Sequence, residues 1–124
     1  MKEFIYKDET YKIIGLCMEV HKHLGKGFLE IVYKDAIEYE CNCKIYPYER
    51  EQKFSINYKD IVLPHKFYAD FIVFDKIILE IKSCSGIADE FIAQTINYLA
   101  ASKLKVGLIV NFGKDSLEYK RIVL

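Results

Sequence analysis

The sequence predicts an α/β (α+β) fold, a mixed sheet of about five strands flanked by helices. Three observations carry this expectation. Hydrophobic residues recur at helical spacing through the first third of the chain, and from Tyr48 the period changes to two. A further helical stretch, Ile87 to Ser102, then lies between two short apolar runs. One of those runs, Ile77 to Ser83, is apolar on both faces apart from two charges, the pattern of a central strand covered on each side.

The elements follow in order. Thr10 to Leu24 places Ile13, Ile14, Cys17, Met18, His21 and Leu24 at helical spacing, with Thr10 as an N-cap and Gly25-Lys26-Gly27 as the stop. A second helix is expected over about Phe28 to Cys41, with Leu29, Val32, Ala36 and Ile37 inward. From Tyr48, Phe54, Ile56 and Tyr58 alternate with polar residues, and Asn57 to Asp60 holds turn formers. A second strand is expected over Ile61 to Phe74, loosened at its start by Pro64, and a third over Ile77 to Ser83. Gly86 separates that strand from the Ile87 to Ser102 helix, whose apolar faces carry Phe91, Ile92, Thr95, Ile96 and Leu99. Val106 to Phe112 is the fourth strand, Gly113 to Ser116 a turn, and Leu117 to Val123 the fifth strand.

With 124 residues, no internal repeat and no polar linker, the expectation is a single domain over 1–124. A hydrophobic share of 52% and two prolines describe a packed globule rather than a disordered tail. Eighteen basic residues balance eighteen acidic ones, which argues against a passive nucleic-acid coat protein, because such proteins carry a basic excess. The stretch Met1 to Thr10 is too polar for a signal peptide, and no apolar run approaches the ~20 residues of a membrane span. A soluble, cytoplasmic protein with no membrane partner is expected. Cys17, Cys41, Cys43 and Cys84 show no C-x-x-C spacing and read as small buried or half-buried side chains. Cys41 and Cys43 with His21 or His23 form the weaker zinc reading.

The informative residues are charges inside apolar elements. Glu80 and Lys82 are two apart on a strand, so their side chains leave one face. Asp70 lies on the preceding strand among Phe67, Phe71, Ile72, Val73 and Phe74. An unpaired buried charge is costly, so these three either emerge at an edge or satisfy one another. A three-residue connection over Phe74 to Lys76 sets Asp70 directly opposite Glu80. A two-residue Asp75-Lys76 turn would set it opposite Ile81 and send the carboxylates to opposite faces. Two carboxylates beside an ammonium make an oxygen site for a hard divalent cation such as Mg²⁺. A water activated there, or oriented by Lys82, could attack phosphorus. A structural ion-pair cluster at the sheet end is the other reading of the same three residues.

Two further constellations accompany them. Gln94 and Tyr98 are four apart and share a helix face that can look toward Glu80 and Lys82. Glu30 and Tyr33 share a face of the second helix, where Glu30 in the first turn is also favoured by the helix dipole.

In order along the chain, Gly27-x-x-Glu30-x-x-Tyr33, Ala69-Asp70-Phe-Ile-Val, Leu79-Glu80-Ile-Lys82, Gln94-x-x-x-Tyr98-Leu and Gly107-Leu-Ile-Val-Asn111-Phe112-Gly113 resemble the GxxExxY proteins. These are a bacterial and archaeal group within the PD-(D/E)xK nuclease superfamily. Ala69 stands where the superfamily's namesake motif has proline. The resemblance implies a restriction-endonuclease-like core: a helix, a three-stranded antiparallel unit, a crossover helix and a strand parallel to the third. It implies that Asp70 and Glu80 bind metal, with the backbone carbonyl of Ile81 as a further ligand and Glu30 adding to the shell. Lys82 then handles the attacking water, and Gln94 with Tyr98 supports the site and contacts the strand. The activity implied is hydrolysis of nucleic acid, DNA foremost, with Mg²⁺ or Mn²⁺. A non-catalytic nucleic-acid-binding or assembly module that keeps the fold is the alternative. Tyr33 and Lys103 are expected to contact substrate as well. Given the zero net charge, grip on substrate is expected from Lys22, Lys26, Lys103 and Lys105, from a homodimer, or from a protein partner.

Overall fold

The computed structural model describes residues 4–124, so Met1, Lys2 and Glu3 of the N-terminal stretch lie outside the described residues. Helix α1 runs Lys7–Leu24. It begins before the expected Thr10: Tyr6 takes the left-handed cap position, and Asp8 and Glu9 occupy the first turn, where the helix dipole favours acids. Thr10 is therefore an interior residue and not a cap. It is buried, with its hydroxyl oxygen unpaired. Ile13, Ile14 and Cys17 face inward as the spacing predicts, but Met18 is half-exposed because Leu16 and Val20 complete the inner stripe.

Helix α2 spans Glu30–Lys44, starting after an extended Leu29. Leu29 was expected inward and instead points to solvent. The inner line is Tyr33, Ile37 and Cys41, spaced four apart. Cys41 and Cys43 leave this helix on different sides, Cys41 buried and Cys43 exposed, because residues two apart on a helix do not share a face. His21 meanwhile pairs with the Lys114 carbonyl and His23 with Glu19, so the zinc constellation is not assembled.

Five strands form one sheet in the order β1 (Tyr48–Tyr58), β2 (Ile61–Val73), β3 (Ile77–Lys82), β4 (Val106–Asn111) and β5 (Glu118–Val123). All neighbours are antiparallel except β3 and β4, which are parallel and joined by helix α3 (Asp89–Ser102). A parallel pair needs such a crossover. Helices α1 and α2 cover one face of the sheet, over Ile77, Leu79 and Ile81 of β3. Helix α3 covers the other, over Ile78, with Tyr98 and Leu99. The central strand is thus covered on both sides, and period-two alternation puts Glu80 and Lys82 on the α3 face. That face tolerates no side chain at Gly107: a Cβ there would lie 2.5 Å from Thr95 Cγ2. On α3, Ile96 is partly exposed instead of buried, leaving Thr95 and Leu99 as the fully packed positions.

The β2–β3 connection is Phe74 to Lys76, three residues, with Val73 opposite Ile77 and Phe71 opposite Leu79. This is the register that sets Asp70 against Glu80. Beyond β3, β1 and β2 continue as a two-stranded ribbon to the Lys59-Asp60 turn, with a register shift between Ser55 and Asn57 opposite the segment that holds Pro64.

Candidate active site

Regular pairing of β2 with β3 stops at Phe71 and Leu79, and the two acids stand at the next position. There each side chain replaces a ladder bond. The Asp70 amide donates to Glu80 Oε2 at 2.7 Å, and the Ile81 amide donates to Asp70 Oδ2 at 2.8 Å. The strands part at this point, and the carboxylates occupy the split between them. A strand residue's N–H and C=O leave the same edge, so the Ile81 carbonyl faces the split too.

The environment is dry. Glu80 is 3% exposed, and burial together with the neighbouring Asp70 charge pushes its carboxyl up to about 8. The hydrogen bond from the Asp70 amide, then Lys82 and Lys34, pull the other way but lose to desolvation. Asp70 is held differently. Its Oδ1 takes an ion pair from Lys34 Nζ at 2.8 Å, and the same ammonium lies 3.1 Å from Glu51 Oε1. Lys34 comes from the second turn of α2 and Glu51 from β1, so three elements converge on Asp70.

Lys82 stands on the α3 side, where its ammonium lies over the Phe91 ring, 4.5 Å from the centroid. In the alternative reading of a structural ion-pair cluster, the ammonium on Asp70 is that of Lys34. Phe91, Gln94 and Tyr98 form one stripe of α3. Tyr98 is buried, packed against Phe67, and its phenol is pushed up by desolvation and then by the Glu80 and Asp70 charges. Gln94 is exposed one turn earlier on the same stripe. Asp70, Glu80 and Ile81 are therefore brought together, with Lys82 beside them on β3, and Tyr98 and Gln94 share the α3 stripe whose Phe91 meets Lys82.

Three expected site residues stand elsewhere. Tyr33 is fully buried: its ring stacks on Phe112 at 4.5 Å, and its hydroxyl donates to the Gly25 carbonyl at 2.6 Å and accepts from the Phe28 amide. It shapes the α1–α2 connection and is closed to substrate. Lys103 caps the C-terminus of α3, near Val106, which pairs with Ile77, whereas Lys82 pairs with Asn111. Lys103 and Lys105 thus lie at the far end of the central strands. Glu30 is exposed in the first turn of α2, and among the described residues no three acidic, histidine or cysteine side chains converge. Glu30 does not join the two acids, although it precedes Lys34 by one helical turn and shares its face.

The donors facing the split are two carboxylates and a backbone carbonyl, all oxygen, which fits a hard divalent cation completing its shell with water. The strand end that carries Lys82 is fixed by Asn111, buried in the core. Its Oδ1 accepts from the Cys84 and Gly113 amides, and its Nδ2 donates to the Cys84 carbonyl and Glu118 Oε1. Gly113 is required there because a Cβ would collide with the Cys84 backbone. Lys26 to Leu29, Ser83, Cys84 and Gly113 line an open cavity of about 530 Å³ at this end of the sheet. Lys26 stands at its edge, paired with Asp115 at 2.7 Å.

Sequence reasoning missed Lys34 and Glu51. Lys34 carries a weak signal, its helical spacing from Glu30. Glu51 carries none, because only the β1–β2 register places it opposite Asp70.

A model of the family described as the PD-(D/E)XK nuclease superfamily matches residues 7–122. The crystal structure of the protein designated SSO0001 superimposes with a TM-score of 0.63 at 19% identity, over 95% of this chain. The chain spans 59% of the length of that protein, and the likeness bears on the fold. No curated protein matches the sequence.

Proposed function

The chain belongs to the PD-(D/E)XK nuclease superfamily, and from that premise we propose that it is a divalent-metal-dependent nuclease hydrolysing phosphodiester bonds of nucleic acid, DNA foremost. The observation that carries this reading is the split between β2 and β3, where Asp70 and Glu80 are held together with Lys82 on the same strand as Glu80. In this reading Asp70, Glu80 and the Ile81 carbonyl hold Mg²⁺ or Mn²⁺. Such a cation, when bound, supplies positive charge to the phosphate oxygens and lowers the pKa of water.

The chain's own groups supply the rest. The Lys82 ammonium, desolvated on one side by Phe91, donates to the attacking water or the phosphate. Water oxygen adds to phosphorus as the bond to the leaving sugar oxygen breaks; the water's proton passes to solvent and the sugar oxygen takes one from solvent. Tyr98 and Gln94 orient the strand from α3. Glu30, exposed in the first turn of α2, stands outside this ligand set. The motif Gly27-x-x-Glu30-x-x-Tyr33 supports placement in the GxxExxY group, with Tyr33 acting through the fold of the preceding loop. Residues 1–124 would act as one cytoplasmic domain, with a homodimer or a protein partner adding grip on substrate.

A non-catalytic nucleic-acid-binding or assembly module is the second reading, favoured by one observation: Asp70 forms an ion pair with Lys34 at 2.8 Å, as in a structural charge cluster. Cleavage of linear, circular and branched substrates with Mg²⁺ or Mn²⁺, against an EDTA control, separates them. The nuclease reading expects Glu80→Gln and Lys82→Ala to lower the rate by about 10²-fold or more. Intact substrates with the wild type under every condition would establish the second.

A further inference from the structure

We propose that Lys34 is a displaceable internal counter-ion: its ammonium holds Asp70 Oδ1 in the metal-free protein and gives way there to the divalent cation, remaining tethered to Glu51. The inference rests on the nuclease reading, because it concerns the ion that reading requires.

The two Asp70 oxygens are occupied differently. Oδ2 already accepts from the Ile81 amide at 2.8 Å, and Oδ1, the oxygen that binds no backbone group, has Lys34 Nζ 2.8 Å away. An ammonium in hydrogen-bond contact and a divalent ion on one oxygen repel each other, and the dry surroundings strengthen that repulsion. The repulsion favours departure of the ammonium.

Glu51 is built to receive the ammonium. It lies opposite Asp70 between the pairs Arg50–Phe71 and Gln52–Ala69, yet itself stays out of the ladder. Its φ is +55°, left-handed for a residue with a side chain. Strain of this kind persists where surrounding contacts impose it and clusters at functional sites. The Glu51 side chain is 50% exposed against 14% for Lys34, so the pair offers the ammonium a path outward.

Helix α2 does not depend on Lys34 for its docking. Arg50 of β1 binds Asp35 at 2.9 Å and Glu38 at 3.2 Å on the same helix. Tyr33, Ile37 and Cys41 are buried beneath it. Release of Lys34 therefore moves a side chain, not an element.

Two measurements on the full chain test this, neither requiring turnover. Lysine acetylation read by mass spectrometry should show Lys34 slow in EDTA and about tenfold faster at saturating Mg²⁺, while Lys103, at the far end of the central strands, stays constant. Titration calorimetry at pH 8 should show Mg²⁺ binding Lys34→Met about tenfold more tightly than wild type, since the competing charge is gone. Equal Lys34 labelling with and without Mg²⁺, or unchanged or weaker Mg²⁺ affinity in Lys34→Met, overturns the proposal. If Lys34→Met does not fold, labelling of the wild type decides alone. Mg²⁺ binding to both proteins with equal affinity removes this inference and leaves the nuclease reading standing. Binding to neither removes both.

Discussion

At the scale of single residues, Glu80 sets the pH behaviour. Its carboxyl is raised above the ordinary carboxylate range by burial and by Asp70, so between about pH 4.5 and 8 the folded protein keeps a proton that the unfolded chain releases. Folding stability contributed by this group is complete below that window and is lost as pH rises through it. In EDTA the melting temperature should fall by roughly 5–10 °C between pH 5 and 8. Glu80→Gln, which keeps an oxygen for the Asp70 amide but cannot ionise, should flatten that slope and melt higher than wild type at pH 8. A parallel slope in the variant would show that another group titrates. A divalent ion needs the deprotonated form, so its affinity should rise with pH over the same interval, with proton release visible as a buffer dependence in calorimetry. Lys82 depends on its aromatic neighbour. Phe91→Leu should lower the cleavage rate about threefold to tenfold while leaving the melting temperature nearly unchanged, the worth of an ammonium over a ring.

At the scale of elements, two contacts fix how helices meet the sheet. Helix α3 approaches β4 so closely that Gly107→Ala would set a methyl 2.5 Å from Thr95 Cγ2. The cost should be about 1–3 kcal/mol in chemical denaturation. Thr95→Ser keeps the hydroxyl that donates to the Phe91 carbonyl and removes the obstructing methyl, so the double variant should recover most of the loss. Additive losses would mean that the strain lies elsewhere. On the other face, Tyr33→Phe removes a hydroxyl that binds Gly25 and Phe28 backbone groups. It should cost about 1–2 kcal/mol of stability and leave substrate affinity unchanged, because the side chain is buried beneath α2.

At the scale of the whole molecule, the sheet acts as a frame that opens at one point. Strand β3 pairs fully with β4, but its pairing with β2 covers only three positions before the acids intervene. Ionising the buried Glu80 beside Asp70 in that opening is costly without a counter-charge, and a cation should recover the loss. Mg²⁺ at a hundredfold excess over its dissociation constant should stabilise the protein by about 2.7 kcal/mol. Adding EDTA should reverse the gain, and it should be absent in Asp70→Asn and Glu80→Gln. A melting temperature indifferent to Mg²⁺ in the wild type would remove the metal from the site. No helix among the described residues is long and apolar enough to cross a membrane.

Much of this frame was legible along the chain because local periods report it. The change from helical to alternating spacing at Tyr48 and the doubly apolar run from Ile77 each follow from nearest-neighbour geometry. Loop parity does not: the sequence admits a two-residue Asp75-Lys76 turn as readily as a three-residue connection, and only the folded register, with Val73 opposite Ile77, sets Asp70 against Glu80. Helix starts were less legible, since Thr10 has the chemistry of a cap while the turn beginning at Lys7 is closed by packing. What the tertiary structure alone decided is who shares the acids. Lys34 and Glu51 lie 36 and 19 positions before Asp70 in the chain, and Tyr33 differs from its exposed neighbours only in which way α2 is turned. Linear spacing determines which side chains leave one face of one element. Which element that face meets depends on how three layers pack, and only there does a lysine become the counter-ion of a buried acid.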